Sequence, residues 1–222
     1  MESRKVVDLI KKNGAGMAII LFPLVFAFAF AVHPGLATPH LLNPLELIFR
    51  AHQNPVLQFG HVLVTINTAL LVVVALHFMK LLDRTSSALA GFIGASLAIF
   101  GAIFLAADKG AFCLTMSAFD TLSPNEFTQI LPGVLAIFNK EGWMVLTWGI
   151  VLLPIGFGIQ AIAMIKARAL PYWQSILFLI GAIFIGTPDG VEIINLFASI
   201  LMAIALVPYG IRLLAKKVEA NG

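Results

Sequence analysis

Long apolar runs alternate with short polar stretches along the whole chain, six times over. They cover residues 15–32, 56–79, 88–107, 143–165, 172–186 and 188–209. A bilayer core of about 30 Å is crossed by roughly 20 apolar residues in a helix. The fifth run is short, about 22 Å at 1.5 Å per residue, and reaches a full span by extending backwards through 167–171. The pattern predicts an all-α fold, a polytopic bundle of six transmembrane helices, with residues 1–222 forming a single integral membrane domain. Pro23 and Pro154 fall mid-span in the first and fourth runs, where they predict kinks. In the third run Gly91, Gly94, Ala98, Gly101 and Ala102 recur at helical spacing, which predicts a close helix–helix contact.

Two of the connections are long enough to carry structure. In 33–54, Asn43-Pro44-Leu45-Glu46 has the form of a capping box with proline at the first helical position. It predicts a short helix to about Gln53, with Leu45, Ile48, Phe49 and His52 on one stripe and the Glu46/Arg50 pair on the other side. So amphipathic a helix is expected to lie in the membrane interface. Ser123-Pro124-Asn125-Glu126 repeats the device and predicts a second short helix through about Phe138.

Charge orients the bundle. Arg4, Lys5, Lys11, Lys12, Lys80, Arg84, Lys166, Arg168, Arg212, Lys216 and Lys217 collect on the side of the termini, leaving only Arg50, Lys109 and Lys140 opposite. The positive-inside rule then places both termini in the cytoplasm. Acidic residues lean the other way, with Glu46, Asp108, Asp120, Glu126, Glu141, Asp189 and Glu192 outside. The composition agrees: 60% of residues are hydrophobic and 11% charged, with mean hydropathy +0.98, against about 25% charged in soluble domains. The pI near 9.2 does not indicate nucleic acid, because the basic residues flank apolar runs instead of forming a patch. A single cysteine, Cys113, excludes an intramolecular disulfide. The first run is longer than the apolar region of a cleaved signal peptide and is read as a retained span.

Polar residues inside a span tend to face the bundle interior or a water-filled cavity. Gln58, His61, Thr65 and Thr68 share one face of the second span, and Asp189, Glu192, Asn195 and Ser199 share one face of the sixth. Both stripes occupy the outer half. If the two helices face each other, they line a pocket open to the outside, with His61 and Glu192 at comparable depth. Ligand binding is therefore assigned to His61, Glu192, Asp189, Asn195, Gln58 and Thr65. A structural reading competes: serine and threonine often bond their own helix, and Asp189-x-x-Glu192 resembles a helix cap.

Four of the five histidines lie between His33 and His61. His33 and His61 are the one pair at similar depth on different helices, so they are the candidate ligands for a haem b or a metal. His77 lies some 24 Å along the helix from His61 and cannot join them. No diagnostic metal spacing is present. His40 and His52 read as loop and headgroup-level residues. Asp108-Lys109 is expected to close the third span, with Cys113 and Met116 in the loop beyond. Trp143 and Trp148 read as interfacial belt residues.

The stretches AADKGAF (106–112), NKEGWM (139–144), RALPYWQ (168–174) and GTPDGVEIINLFAS (186–199) resemble a broad set of small bacterial six-helix membrane proteins known only as a family of unknown function. The resemblance covers most of the chain after His52. It implies the bundle fold and a bacterial inner membrane, and it implies no activity. Three functions stay open: binding or transport of a small amphipathic or cationic ligand, a haem or metal redox role, and an accessory role as a homo-oligomer or membrane-complex subunit. The chain carries no nucleophile motif, phosphate loop or cofactor fingerprint, so catalysis is left open.

Overall fold

The computed structural model describes residues 2–33, 36, 41, 43–139, 151–185 and 191–216. They form eight helices: α1 (Glu2–Ala31), α2 (Pro44–Ala51), α3 (Pro55–Leu82), α4 (Ala88–Phe119), α5 (Pro124–Phe138), α6 (Leu152–Ala167), α7 (Tyr172–Phe184) and α8 (Glu192–Ala215). No strand occurs among the described residues. Within these helices, Lys5–Ala31, Pro55–Leu82, Ala88–Phe119 and Glu192–Ala215 are long and apolar enough to cross a membrane, and α6 and α7 are shorter apolar helices. Large apolar side chains point outwards along every long helix, among them Ile66, Leu89, Phe92, Phe100, Ile103, Ile204 and Ile211. A water-facing protein exposes no such belt, so this is a helical membrane protein whose outer surface is solvated by lipid.

The six apolar helices close into a ring in the order α1, α3, α4, α6, α7, α8, with α8 returning to α1. Between helices in lipid the hydrophobic effect supplies no net drive, so close van der Waals packing must hold them. Glycines permit it. A Cβ on Gly101 would come within 2.2 Å of the Leu153 nitrogen, and one on Gly156 within 2.3 Å of the Ala98 nitrogen. These contacts bring α4 and α6 together backbone to backbone, as the small-residue spacing predicts. Gly210 meets the Gly16 carbonyl at the α1/α8 contact, and Gly181 meets the Ala198 carbonyl between α7 and α8.

The two ends of the ring differ. At one end, called here the terminal end, the free ends of α1 and α8 meet. Lys12 Nζ donates to the Leu214 carbonyl at 3.4 Å and to the Lys216 carbonyl, placing positive charge at the negative end of the α8 dipole. At the opposite, cap end, α2 and α5 pack on each other and on the ends of α3 and α4. Ile48, Phe127 and Val134 form one buried cluster there, and Ala51, Leu57 and Met116 another. Both capping boxes form as predicted: Glu46 N–H donates to Asn43 Oδ1 at 2.9 Å and Asn43 N–H to Glu46 Oε2 at 3.0 Å. Ser123 and Glu126 make the same exchange.

Several boundaries differ from expectation. α4 continues to Phe119, so Asp108 and Lys109 pair at 3.3 Å within the helix instead of closing it. Cys113 and Met116 are helical, and Met116 is fully buried in the cap. α7 does not extend backwards: Arg168 adopts a left-handed φ of 51° and Pro171 follows. A proline disfavours helix in the residue before it, and these two features break the chain there. α2 splits its apolar stripe, with Ile48 buried under α5 while Leu45 and Phe49 stay exposed. Pro154 is the third residue of α6, where its missing N–H has no intrahelical acceptor in any case. Trp143 and Trp148 lie outside the described residues.

The α4/α6 contact is sterically saturated at Gly156. Gly156→Leu is expected to cost about 1–3 kcal/mol or more through overpacking and to lower the melting temperature in detergent. Gly14→Ala, where a Cβ meets open space, should leave it unchanged or raise it through helix propensity. Equal melting temperatures for Gly156→Leu and the wild type would disprove the contact.

Candidate functional site

At the cap end four helices bring polar and aromatic side chains together. His33 follows the last turn of α1, its N–H donating to the Phe30 carbonyl at 3.2 Å. Glu192 opens α8, and because α1 and α8 pack antiparallel these two positions coincide in depth. His33 Nδ1 lies 3.4 Å from Glu192 Oε1, with the side chains 7% and 3% exposed. His61, two turns into α3, has its ring centroid 6.2 Å from that of His33 at an interplanar angle of 65°. On its other side the His61 ring lies 4.4 Å from Phe112 of α4.

The expected pairing of His61 with Glu192 is therefore corrected. His33 stands between them and is the ring that the Glu192 carboxylate meets. The physical reason is ring order, for α1 separates α3 from α8. His61 instead directs Nδ1 to the Leu57 carbonyl at 2.9 Å. A carbonyl only accepts, so that nitrogen carries a hydrogen and the contact orients the ring. Asn195 is buried below Glu192, and Ser199 Oγ donates to its carbonyl at 2.7 Å. Thr65 and Thr68 bond the His61 and Thr65 carbonyls of their own helix at 2.9 Å and 2.6 Å, as the structural reading had it. Asp189 lies outside the described residues. Glu192 is capped from Val191, which supplies no side-chain bond.

Gln58 belongs to a different constellation. Its Nε2 donates to Asp120 Oδ2 at 2.6 Å, while Asp120 Oδ1 accepts from the Gln53 N–H at 2.8 Å and lies 2.8 Å from His52 Nδ1. The His52 ring stacks on Phe127 at 4.0 Å between centroids. One carboxylate at the end of α4 thus ties down the α2–α3 turn, where Gln53 holds a left-handed φ of 54°. Nothing in the local sequence around Asp120 signals this, because its three partners lie more than sixty residues away.

Polar side chains also enter the ring away from the cap. Asn67 Nδ2 donates to the Phe22 carbonyl at 3.0 Å, and Gln160 Nε2 to the carbonyls of Ala75 and Gly91 at 2.9 Å and 3.3 Å. Towards the terminal end His77 Nε2 meets the Tyr209 hydroxyl at 2.8 Å, and Gln174 bridges the Ala205 carbonyl and the Arg212 guanidinium at 2.7 Å and 2.8 Å. Gln160 is fully buried, a placement that sequence reasoning missed.

Comparison with protein-family models, with curated proteins and with solved structures returns no match. Chemistry must therefore be argued from the site. Among the described residues no three His, Cys, Asp or Glu side chains converge as a metal would require. The arrangement sets a nearly dry carboxylate against an imidazole ring, and it presents that carboxylate to any cation that takes the ring's place.

Two outcomes follow for the cap. Asp120→Ala removes the acceptor of the Gln53 N–H and the nearer of the two acceptors of Gln58 Nε2, and an expected loss of about 1–3 kcal/mol should appear as a lower melting temperature and faster proteolysis near Gln53. Unchanged proteolysis would dismiss the latch. Glu126 is solvent-facing, and the Ser123 hydroxyl and then its backbone N–H hold the carboxyl below the usual carboxylate range. Its stabilisation is present above the unfolded carboxylate value and is lost as pH falls through the lower folded value. In an NMR titration Ser123→Ala should shift Glu126 upwards.

Proposed function

We propose that the chain crosses a bacterial inner membrane six times, with both termini cytoplasmic and the cap outside, and that it binds a small cationic or amphipathic ligand at the cap end for uptake or export. The distribution of Lys and Arg supports the orientation, as does the meeting of α1 and α8 at one end of the ring. The observation that carries the ligand class is Glu192, a carboxylate 3% exposed and held against His33 instead of solvent. A buried carboxylate in a membrane bundle is costly, and such residues mark substrate and ion pathways. The ligand's positive charge takes the place of the His33 ring, while His61 and Phe112 offer aromatic faces to its apolar part and Asn195 contributes from one turn below. The role of Asp189 rests on its place in the same stripe.

Tetraphenylphosphonium, an amphipathic cation, is a suitable probe for calorimetric titration of the detergent-solubilised protein. Glu192→Gln is expected to reduce its binding at least tenfold while the melting curve stays cooperative. Undiminished binding in a folded Glu192→Gln, His61→Ala double variant would end this reading.

A second reading rests on the 6.2 Å approach of the His33 and His61 rings. Each has Nδ1 engaged by an acceptor, as second-shell partners of metal-bound histidines are. If these residues ligate haem b, protein from haem-supplied cells shows a Soret band that His61→Ala abolishes. A colourless wild-type protein from such cells excludes it.

A further inference from the structure

The interior of the ring is divided by aromatic side chains. Phe22 of α1 stacks on Phe157 of α6 with centroids 6.4 Å apart and planes 8° apart. Phe157 meets Phe178 of α7 edge-on at 5.6 Å, and Phe178 meets Phe78 of α3 at 5.4 Å. Four helices from all sides of the ring thus contribute to one continuous chain of rings, every member 3% exposed or less.

Polar atoms that lack a partner lie on either side of it. Among the described residues the buried Asn67 Oδ1, Gln160 Oε1 and Ser175 Oγ have no hydrogen-bond partner. Asn67 sits on the cap side, since its amide reaches the Phe22 carbonyl, and a helical carbonyl points towards the C-terminal, here capward, end. Gln160 lies one turn beyond Phe157 and Ser175 one turn before Phe178. α6 descends from the cap and α7 climbs towards it, so both oxygens fall on the terminal side. In a membrane interior with no lipid-side partner, such atoms call for internal water.

We infer that the Phe22–Phe157–Phe178–Phe78 layer is the dry barrier of a proton-conducting path whose two hydrated halves end at His33–Glu192–His61 and at His77–Tyr209. The cap-side half reaches Asn67 below the histidine cluster. The terminal half runs from Gln160 and Ser175 past His77–Tyr209 to Gln174 and the exposed Arg212. Imidazole, carboxylate and phenol side chains, the usual members of proton relays, occupy the two halves, and hydrocarbon alone separates them. Protons cross only when the rings part and water wets the gap. This rests on the proposed membrane-spanning site, yet it is tested without any organic ligand.

The full-length protein is reconstituted in liposomes enclosing a pH-sensitive dye, and a potassium gradient with valinomycin drives proton entry. Wild-type vesicles should hold their internal pH. Phe157→Ser, which puts a hydroxyl in the middle of the layer, should raise the initial rate at least tenfold, whereas Phe157→Leu should stay within twofold of wild type. A folded Phe157→Ser variant that leaks no faster than wild type overturns the inference. If Phe157→Ser does not fold, single-cysteine variants in a Cys113→Ser background decide. Gln160→Cys should react with a small charged thiol reagent added from the terminal side only, and Asn67→Cys from the cap side only. Failure of both to react overturns it. Tetraphenylphosphonium binding in Glu192→Gln fails or survives independently, so the ligand site and the barrier are judged apart.

Discussion

Three helix pairs in the ring approach until backbone nearly touches backbone, and each does so at glycine. α4 and α6 meet at Gly94, Gly101 and Gly156, α1 and α8 at Gly16 and Gly210, and α7 and α8 at Gly181. In lipid no expulsion of water draws helices together, so the stability of the ring depends on how many atoms come into contact. Where α4 lies on α6, the amide of Gln160 reaches the carbonyls of Ala75 and Gly91 on two other helices. Were a methyl group to separate α4 from α6, that amide would lose its position. The antiparallel contact of α1 and α8 has a similar consequence at the cap, because it sets the depth at which the end of one helix meets the start of the other. That depth is what brings His33 to Glu192.

The ring also decides how polar groups are distributed. Along the outside the helices present isoleucine, leucine and phenylalanine to lipid, and inwardly directed polar groups gather in two layers. The cap-end layer contains the ionisable pair and the second histidine. The terminal layer is built mainly from hydrogen bonds among His77, Tyr209, Gln174 and Arg212. Aromatic rings, which offer large area and no unmet hydrogen bond, fill the space between. A polar group placed at that level would have neither water nor a partner, and the cost of such a group in hydrocarbon keeps the layer apolar.

The cap is a small folded unit in its own right. Its two short helices start from capping boxes, bury Ile48 against Phe127 and Val134, and are tied to α3 and α4 through Asp120. Phe112 joins two environments: it packs against Phe138 within the cap and against His61 in the ring.

Much of the fold was legible in the chain itself. Apolar run lengths gave the helices, the two Pro-containing capping boxes gave α2 and α5 to within a residue or two, and the small-residue spacing in α4 located a close contact. These features are local, set by backbone hydrogen bonding and side-chain size within a few residues. The polar stripes likewise identified Glu192, His61 and Asn195 as inward-facing. Periodicity shows which way a side chain points along its own helix, but not which helix stands opposite. Pairing His61 with Glu192 required α3 and α8 to be neighbours, and α1 lies between them. The same limit hid the attachment of Gln58, His52 and Gln53 to Asp120, the crossing of Gln160 to α3 and α4, and the meeting of four phenylalanines from four helices. Sequence by itself determined the helices, their caps and their lipid-facing sides, because each depends on near neighbours in the chain. Tertiary structure alone decided the partners, because the order of helices round the ring is fixed by close packing between segments remote in sequence.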